Sequence, residues 1–154
     1  MRQRGLTLLE LVICMGMLGI IASFAMPTLG QSLAKHELES ASLQLVADIR
    51  WLQQLAINAG SGTVSYILLF SPSEPYGYYV TANTQVIKQI TFPASVKLTG
   101  SYSPIGFGLS GAPLIGAQTV GLQSTKLKTW KYVILAPVSG RVRISNSKPL
   151  QPEG

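Results

Sequence analysis

The chain has 154 residues, of which 47% are hydrophobic and only 12% are charged, and its formal net charge is +6. This length suits one domain with a modest core. The single cysteine, Cys14, excludes an intramolecular disulfide, and with one histidine, His36, the chain cannot build a metal site from His and Cys ligands. The six acidic residues form no cluster along the sequence, so we expect neither an enzyme nor a bound cofactor.

The N-terminus joins a short basic leader, residues 1–5, to an apolar run that ends at Met26 and contains a single acid, Glu10. About 20 apolar residues in a helix span the hydrocarbon core of a bilayer, so this run is just long enough. The two arginines of the leader favour a cytoplasmic N-terminus by the positive-inside rule. We therefore predict a single-pass helix over 6–27, with the rest of the chain outside the cytoplasmic membrane.

These features resemble the class III signal of type IV prepilins and of the pseudopilins of type II secretion. In that family a basic leader ends in Gly, a prepilin peptidase cleaves after it, and the fifth mature residue is Glu. Gly5, Leu6 and Glu10 stand at the matching positions. The resemblance implies cleavage between Gly5 and Leu6, methylation of the new N-terminus, and pairing of Glu10 with the Leu6 amine of a neighbouring subunit. Leu6 departs from the usual Phe, which leaves the extent of methylation open.

Two other interpretations of the N-terminal segment stay open. Ser23-Phe24-Ala25 has the small-x-small form that precedes cleavage in secretory signal peptides. The apolar run would also serve as an uncleaved anchor. The pilin-like interpretation is favoured because Gly5, the basic leader, Glu10 and the apolar run all agree in spacing, and because Glu10 suits neither alternative.

A second helical pattern follows Pro27, which is predicted to kink the helix because proline lacks a backbone donor. The pattern runs to about Ala59, and Gly60 is predicted to end it in the left-handed conformation. Apolar residues recur at three- and four-residue steps and should lie on a sheet: Leu38, Ala41, Leu45, Ile49, Leu52 and Ala56. Polar residues fall mostly on the other faces: Lys35, His36, Glu39, Gln44, Asp48 and Gln53.

Beyond Gly62 the sequence changes to short strand-like runs with turn residues between them. The strands are predicted over 63–70, 76–82, 86–92 and 96–99, with a closing hairpin of 131–136 and 140–145. The Gly-rich tract 105–113 predicts a turn-forming loop, since it lacks the Lys-Ser/Thr pair of a nucleotide-binding loop.

The predicted fold class is α+β. A long N-terminal helix, membrane-spanning in its first half and amphipathic in its second, would pack on a C-terminal antiparallel β-sandwich head. The segments in chain order are a leader, a transmembrane and polymerisation helix, an amphipathic helix of the head, a β-rich head and a flexible tail: 1–5, 6–27, 28–60, 61–146 and 147–154.

The C-terminal third carries a second resemblance, to the head of the GspH/FimT group of pseudopilins. The matching elements are Phe107 to Gly111, Gly116 to Thr119, Tyr132-Val133 and Gly140-Arg141-Val142. Together the two resemblances imply a minor pseudopilin, a subunit of a type II secretion or type IV pilus-like filament outside the cytoplasmic membrane. The implied partners are a prepilin peptidase, other pilins and pseudopilins, an inner-membrane platform protein, an assembly ATPase and membrane lipid.

Basic residues gather near the C-terminus in a region almost without acids: Lys126, Lys128, Lys131, Arg141, Arg143 and Lys148. On a strand, Arg141 and Arg143 would share one face, and two guanidinium groups suit phosphates or carboxylates. Gly140-Arg141-Val142-Arg143 also resembles a Gly-Arg-x-Arg element linked with DNA binding in competence-associated FimT-like pilins, which implies DNA capture for natural transformation. A solvated edge strand whose charges deter aggregation, or a subunit contact, would explain the same residues.

Overall fold

The structure, a computed structural model, describes residues 7–60, 64–100 and 102–149. These residues form one helix, α1, followed by eight strands, β1 to β8. The chain divides into two compact units, Met1–Leu33 and Ala34–Gly154, and α1 contributes residues to both.

The helix α1 spans Leu8–Asn58 as one element of 51 residues. At its start the Glu10 N–H donates to Thr7 Oγ1 at 3.3 Å, so Thr7 caps the helix within a Thr-x-x-Glu pattern. Beyond its end, Gly60 has a φ of +58°, which confirms the left-handed residue predicted there. The helix continues through Pro27, and the kink predicted at that residue stays a prediction.

In the first unit, large apolar side chains are exposed on every face of α1. Between Leu8 and Ile21, the large apolar residues that are at least 49% exposed are Leu8, Leu9, Leu11, Val12, Ile13, Met15, Met17, Leu18, Ile20 and Ile21. A helix that is apolar all round is suited to burial in a larger apolar environment. Within the part of the chain that the structure describes, no helix combines the length and the apolarity that crossing a membrane requires. The span predicted over 6–27 is therefore not confirmed.

In the second unit, α1 presents one apolar stripe to the sheets. All six residues predicted to form this stripe are at most 6% exposed: Leu38, Ala41, Leu45, Ile49, Leu52 and Ala56. They belong to one apolar core that also holds side chains from the strands. Full burial of a leucine-sized side chain contributes about 1.5–3 kcal/mol, so this stripe is the main attachment of the helix to the head.

Two four-stranded antiparallel sheets complete the head. The first has the strand order β3-β2-β1-β5, with β1 at Tyr66–Ser71, β2 at Gly77–Ala82, β3 at Gln85–Thr91 and β5 at Ile105–Gly106. The second has the order β4-β6-β7-β8, with β4 at Val96–Thr99, β6 at Gln118–Ser124, β7 at Trp130–Leu135 and β8 at Val142–Ser145. The predicted α+β class, a helix packed on an antiparallel β region, is confirmed.

The strand bounds differ from the predicted ones where turn residues intervene. The strand predicted over 140–145 begins only at Val142, because Gly140 has a positive φ and belongs to the turn. The Gly-rich tract is not wholly a loop: β5 lies inside it and pairs with β1, and Ile105 is 1% exposed in the core. A two-residue strand among glycines gives almost no periodic signal, so the sequence did not predict it.

Asp48, predicted on an outer face of the helix, is instead 3% exposed. Its Oδ1 lies 2.6 Å from the Lys88 Nζ on β3, and its Oδ2 accepts from the Tyr78 hydroxyl on β2 at 2.7 Å. The Gln44 side-chain amide donates to Oδ2 at 3.2 Å. A buried carboxylate requires such partners. The contacts from α1, β2 and β3 therefore explain how Asp48 can be buried.

The network also holds Tyr78 in its neutral form. Burial first, and then the hydrogen bond and the charge of Asp48, raise the pKa of the Tyr78 hydroxyl. The Lys88 Nζ lies 5.4 Å from the centre of the Trp51 ring, one helical turn beyond Asp48. The ammonium group is thus shared between a buried carboxylate and a partly exposed aromatic face.

We expect Tyr78→Phe to lower the free energy of unfolding by about 1.5–3 kcal/mol, because it removes a buried hydrogen bond to a charged group. Tyr79→Phe is the matched control, since Tyr79 is the half-buried neighbour on the same strand and should cost less than about 0.5 kcal/mol. The measurement is urea unfolding in mild detergent. Equal losses for the two variants would contradict the network's role.

The same variant should change the response to alkali. As the pH rises through about 10, only the unfolded state releases the tyrosine proton, so a raised folded pKa lowers stability there. Tyr78→Phe should remove this fall in stability at high pH. At pH 7 the variant should show only the stability loss that comes from the missing hydrogen bond.

Candidate functional site

The residues predicted for processing lie at the edge of what the structure describes. Gly5 and Leu6 fall outside the described residues, and Glu10 lies exposed in the first turn of α1. A carboxylate in the first turn is favoured by the positive end of the helix dipole. Glu10 therefore has a local reason for its position in addition to the pairing that the resemblance implies.

Three arginines line one open groove of about 410 Å³, which we call the arginine groove. Arg50 comes from α1, Arg141 lies just before β8, and Arg143 lies within β8. The other lining residues are small, apolar or neutral polar: Gln53, Gln54, Ser139, Gly140 and Val142.

The helical wall of this groove follows from residue spacing. Arg50, Gln53 and Gln54 are three and four positions apart and therefore share a helix face. The Arg50 Nη2 donates to the Val142 carbonyl at 3.3 Å, and the Gln53 Nε2 donates to the Gly111 carbonyl at 2.7 Å. These two bonds attach α1 to β8 and to the Gly-rich tract, so the groove is held by elements distant in sequence.

Gly140 allows the backbones to approach each other beside the groove. Its φ is +64°, in the left-handed region that glycine adopts without steric cost. A Cβ at this position would collide with the Gly111 carbonyl oxygen and the Gln53 side-chain amide. The glycine of the Gly-Arg-x-Arg element is thus required by close packing immediately before Arg141.

The groove is suited to bind an anion. None of its lining residues is acidic, and guanidinium groups offer planar, paired donors that match phosphate or carboxylate oxygens. The structure brings Arg141 and Arg143 to one groove and adds Arg50, which the sequence analysis missed. The sequence pattern predicts a polar face on α1. It does not show that this face meets the strand that contains Val142, 92 positions after Arg50. Among the described residues, no group of three or more His, Cys, Asp or Glu could hold a metal ion.

The lysines predicted with these arginines lie elsewhere. Lys128 and Lys131 line a separate cavity of about 600 Å³, and Lys126 is exposed in the turn between β6 and β7. The Lys131 Nζ lies 2.9 Å from Glu39 Oε2 on α1. The basic C-terminal region therefore forms two surfaces with different cations, guanidinium in one and ammonium in the other.

Comparison with known proteins gives a match for the N-terminus. Residues 1–26 match the family model described as the prokaryotic N-terminal methylation motif, which is the signal of type IV pilins and pseudopilins. Neither curated proteins nor solved structures give a significant match. The predicted resemblance of the N-terminus is confirmed, and Gly5, Leu6 and Glu10 all lie inside the matched segment. Membership of the GspH/FimT group is not confirmed.

Proposed function

We propose that this chain, whose first 26 residues carry the type IV pilin and pseudopilin signal, is a minor pseudopilin. It would be a non-catalytic subunit of a type II secretion or type IV pilus-like filament. A prepilin peptidase would cleave between Gly5 and Leu6, and α1 would anchor the precursor in the cytoplasmic membrane with its N-terminus inside. A platform protein and a cytoplasmic ATPase would then move the helix from lipid into the filament.

One observation carries this proposal: the matched signal coincides with a helix that exposes apolar side chains on every face. Leu8 is 82% exposed and Ile21 is 66% exposed, near the two ends of this segment. Because burying each such side chain contributes about 1.5–3 kcal/mol, the segment gains stability in either of two apolar environments. Lipid supplies one before assembly, and the helices of neighbouring subunits supply the other afterwards.

Glu10 distinguishes these two environments. A carboxylate at the centre of a bilayer costs about 2.5–3.5 kcal/mol on insertion scales, and less near an interface. In a filament, the amine of a neighbouring subunit's Leu6 would neutralise it, and an unpaired carboxylate would remain a buried charge. Glu10 would therefore favour one register of assembly over others.

A second function on the same scaffold is favoured by the arginine groove. Arg50, Arg141 and Arg143 line one surface with no acidic residue among its lining. Phosphate oxygens of DNA suit this set of donors. We infer DNA capture as the alternative function, with the filament subunit presenting the groove to extracellular DNA.

The first expected result concerns the mature N-terminus. The protein extracted from membranes of cells that contain a prepilin peptidase should begin at Leu6 and carry a methyl group. Gly5→Val should retain the leader, whereas Gly16→Ala, a matched change in the same segment with open space around it, should be processed normally. Peptide sequencing and intact mass measure both. A start at Met26 or an intact Met1 would contradict the proposal.

The second expected result separates the two roles of Glu10. Glu10→Leu should leave membrane insertion intact and prevent incorporation into filaments. Glu10→Gln retains a residue that suits the third position of a capped helix but removes the charge, so it should fail equally in assembly. If Glu10→Gln assembles as the native chain does, the residue acts in starting the helix and not in pairing with an amine. Filament content after shearing, relative to membrane content, is the measurement.

The third expected result concerns DNA. Arg50→Gln, Arg141→Gln and Arg143→Gln should each weaken binding of a labelled duplex and lower the slope of log affinity against log salt by about one. Lys97→Gln, which lies in neither cavity, is the charge-matched control. Fluorescence anisotropy of the full chain in detergent is the measurement. An unchanged affinity in the Arg141/Arg143 double variant would remove the groove as the site.

A further inference from the structure

The cavity lined by Lys128 and Lys131 combines cations with an apolar surface. We call it the lysine groove, about 600 Å³ in volume, and its main lining residues are Lys35, Leu38, Glu39, Lys128, Trp130 and Lys131. It lies wholly within the second unit, between one end of that unit's part of α1 and the turn that joins β6 to β7. The proposed filament function assigns it no role.

The lysine groove has a net positive charge of +2, from three lysines against one glutamate. Glu39 and Lys131 form an ion pair of 2.9 Å within it. The ion pairs found among the described residues do not include Lys35 or Lys128, and both of these side chains belong to exposed residues. The charge offered to a ligand therefore comes from Lys35 and Lys128, and Lys126 adds a further exposed ammonium in the same turn.

Beside these charges the groove is apolar. Leu38 is 3% exposed at its base, and the Trp130 side chain belongs to a residue that is 43% exposed at its rim. An aromatic ring with a polar N–H, next to ammonium groups on flexible stems, is the combination found where proteins meet the interface of a bilayer. The ligand that suits both parts is anionic at one end and apolar at the other.

Backbone hydrogen bonds stabilise the turn that carries Lys128. Lys128 has a φ of +51°, in the left-handed region that residues other than Gly, Asn and Asp seldom adopt. The Lys128 N–H donates to the Ser124 carbonyl at 3.0 Å, and the Ser124 N–H donates to the Thr129 carbonyl at 2.9 Å. The Thr125 N–H donates to the Ser95 carbonyl at 2.8 Å. An ordered turn presents its cation with little loss of conformational freedom on binding.

The position of Lys35 along the chain indicates where this ligand would be met. Lys35 lies two residues after Leu33, which is 56% exposed. In the proposed anchor, twenty helical residues counted from Leu8 would cross the hydrocarbon core and end at residue 27. Lys35 follows only eight residues later in the chain, so the head is tethered close to the surface where the potential of anionic lipid acts.

We propose that the lysine groove binds the anionic headgroups of phospholipids at the outer surface of the membrane that anchors the precursor. This inference rests on the proposed function, because it requires α1 to be anchored in that membrane. Ammonium groups act on phosphates as point charges without the fork geometry of arginine, which suits headgroups that exchange rapidly. Lipid binding holds the head against the bilayer until the subunit is extracted into the filament.

The test uses the full chain in vesicles and the fluorescence of Trp130. The chain has two tryptophans, so the Trp51→Phe variant leaves Trp130 alone, and circular dichroism checks that it folds. Vesicles contain phosphatidylcholine alone or with phosphatidylglycerol, each with brominated acyl chains as quenchers. We expect stronger quenching of Trp130 in the anionic vesicles, and loss of the difference at 1 M salt.

Charge variants make the test specific to the groove. Lys35→Gln and Lys128→Gln should each lower the ratio of docked to undocked heads in anionic vesicles about fivefold, the equivalent of about 1 kcal/mol per lysine near the surface. Lys97→Gln, an equal charge change outside the groove, should leave the ratio unchanged. Quenching that is equal in neutral and anionic vesicles, or unaffected by the two groove variants, would overturn the proposal.

Two further measurements separate this proposal from other outcomes. Flotation of the vesicles on a density gradient reports anchoring: a chain that does not float contradicts the membrane anchor of the proposed function itself. A chain that floats without the anionic response contradicts only the lipid proposal. Duplex DNA added to neutral vesicles should leave Trp130 fluorescence unchanged, and a response to DNA that is absent with phosphatidylglycerol would assign the groove to nucleic acid instead.

Discussion

The rotational setting of α1 against the strands of the head depends on one buried carboxylate. Asp48 would be costly in the core without partners, and it obtains them from Lys88 and Tyr78 on two neighbouring strands. An apolar stripe alone tolerates small rotations or slips of a helix, whereas these directed bonds tolerate few. Both grooves have one wall on α1 and the other on strands or turns, so the rotational setting of the helix decides whether Arg50 and Lys35 meet their counterparts.

The sequence predicts those features that are encoded locally. The apolar stripe and the left-handed Gly60 follow from periodicity and from backbone preference, and both agree with the structure. Asp48 and Arg50 could not be assigned in this way, because their partners lie 40 and 92 positions away. A charged residue on a helix is normally solvated, and only the tertiary pairing shows that Asp48 is the exception.

The two basic surfaces show why a cluster of charges in a sequence is not a site. The six C-terminal cations form one cluster in the sequence, yet Arg141 and Arg143 line one cavity and Lys128 and Lys131 line another. Strands β7 and β8 are neighbours in one sheet. The turn before β7 and the turn before β8 nevertheless line cavities with different parts of α1. The head therefore has two basic surfaces, one lined by guanidinium groups and one lined by ammonium groups.

The cap at the start of α1 has a consequence for processing. Cleavage after Gly5 would leave a single residue ahead of Thr7, so the newly formed ammonium would stand at the positive end of a long row of aligned peptide dipoles. Like charges would then face each other at the tip of every mature subunit. The cut would thus add a positive charge to a helix end that already favours anions, so this end would attract the acid of a neighbouring subunit as well as the subunit's own Glu10, and the proposed polymerisation would gain from that attraction.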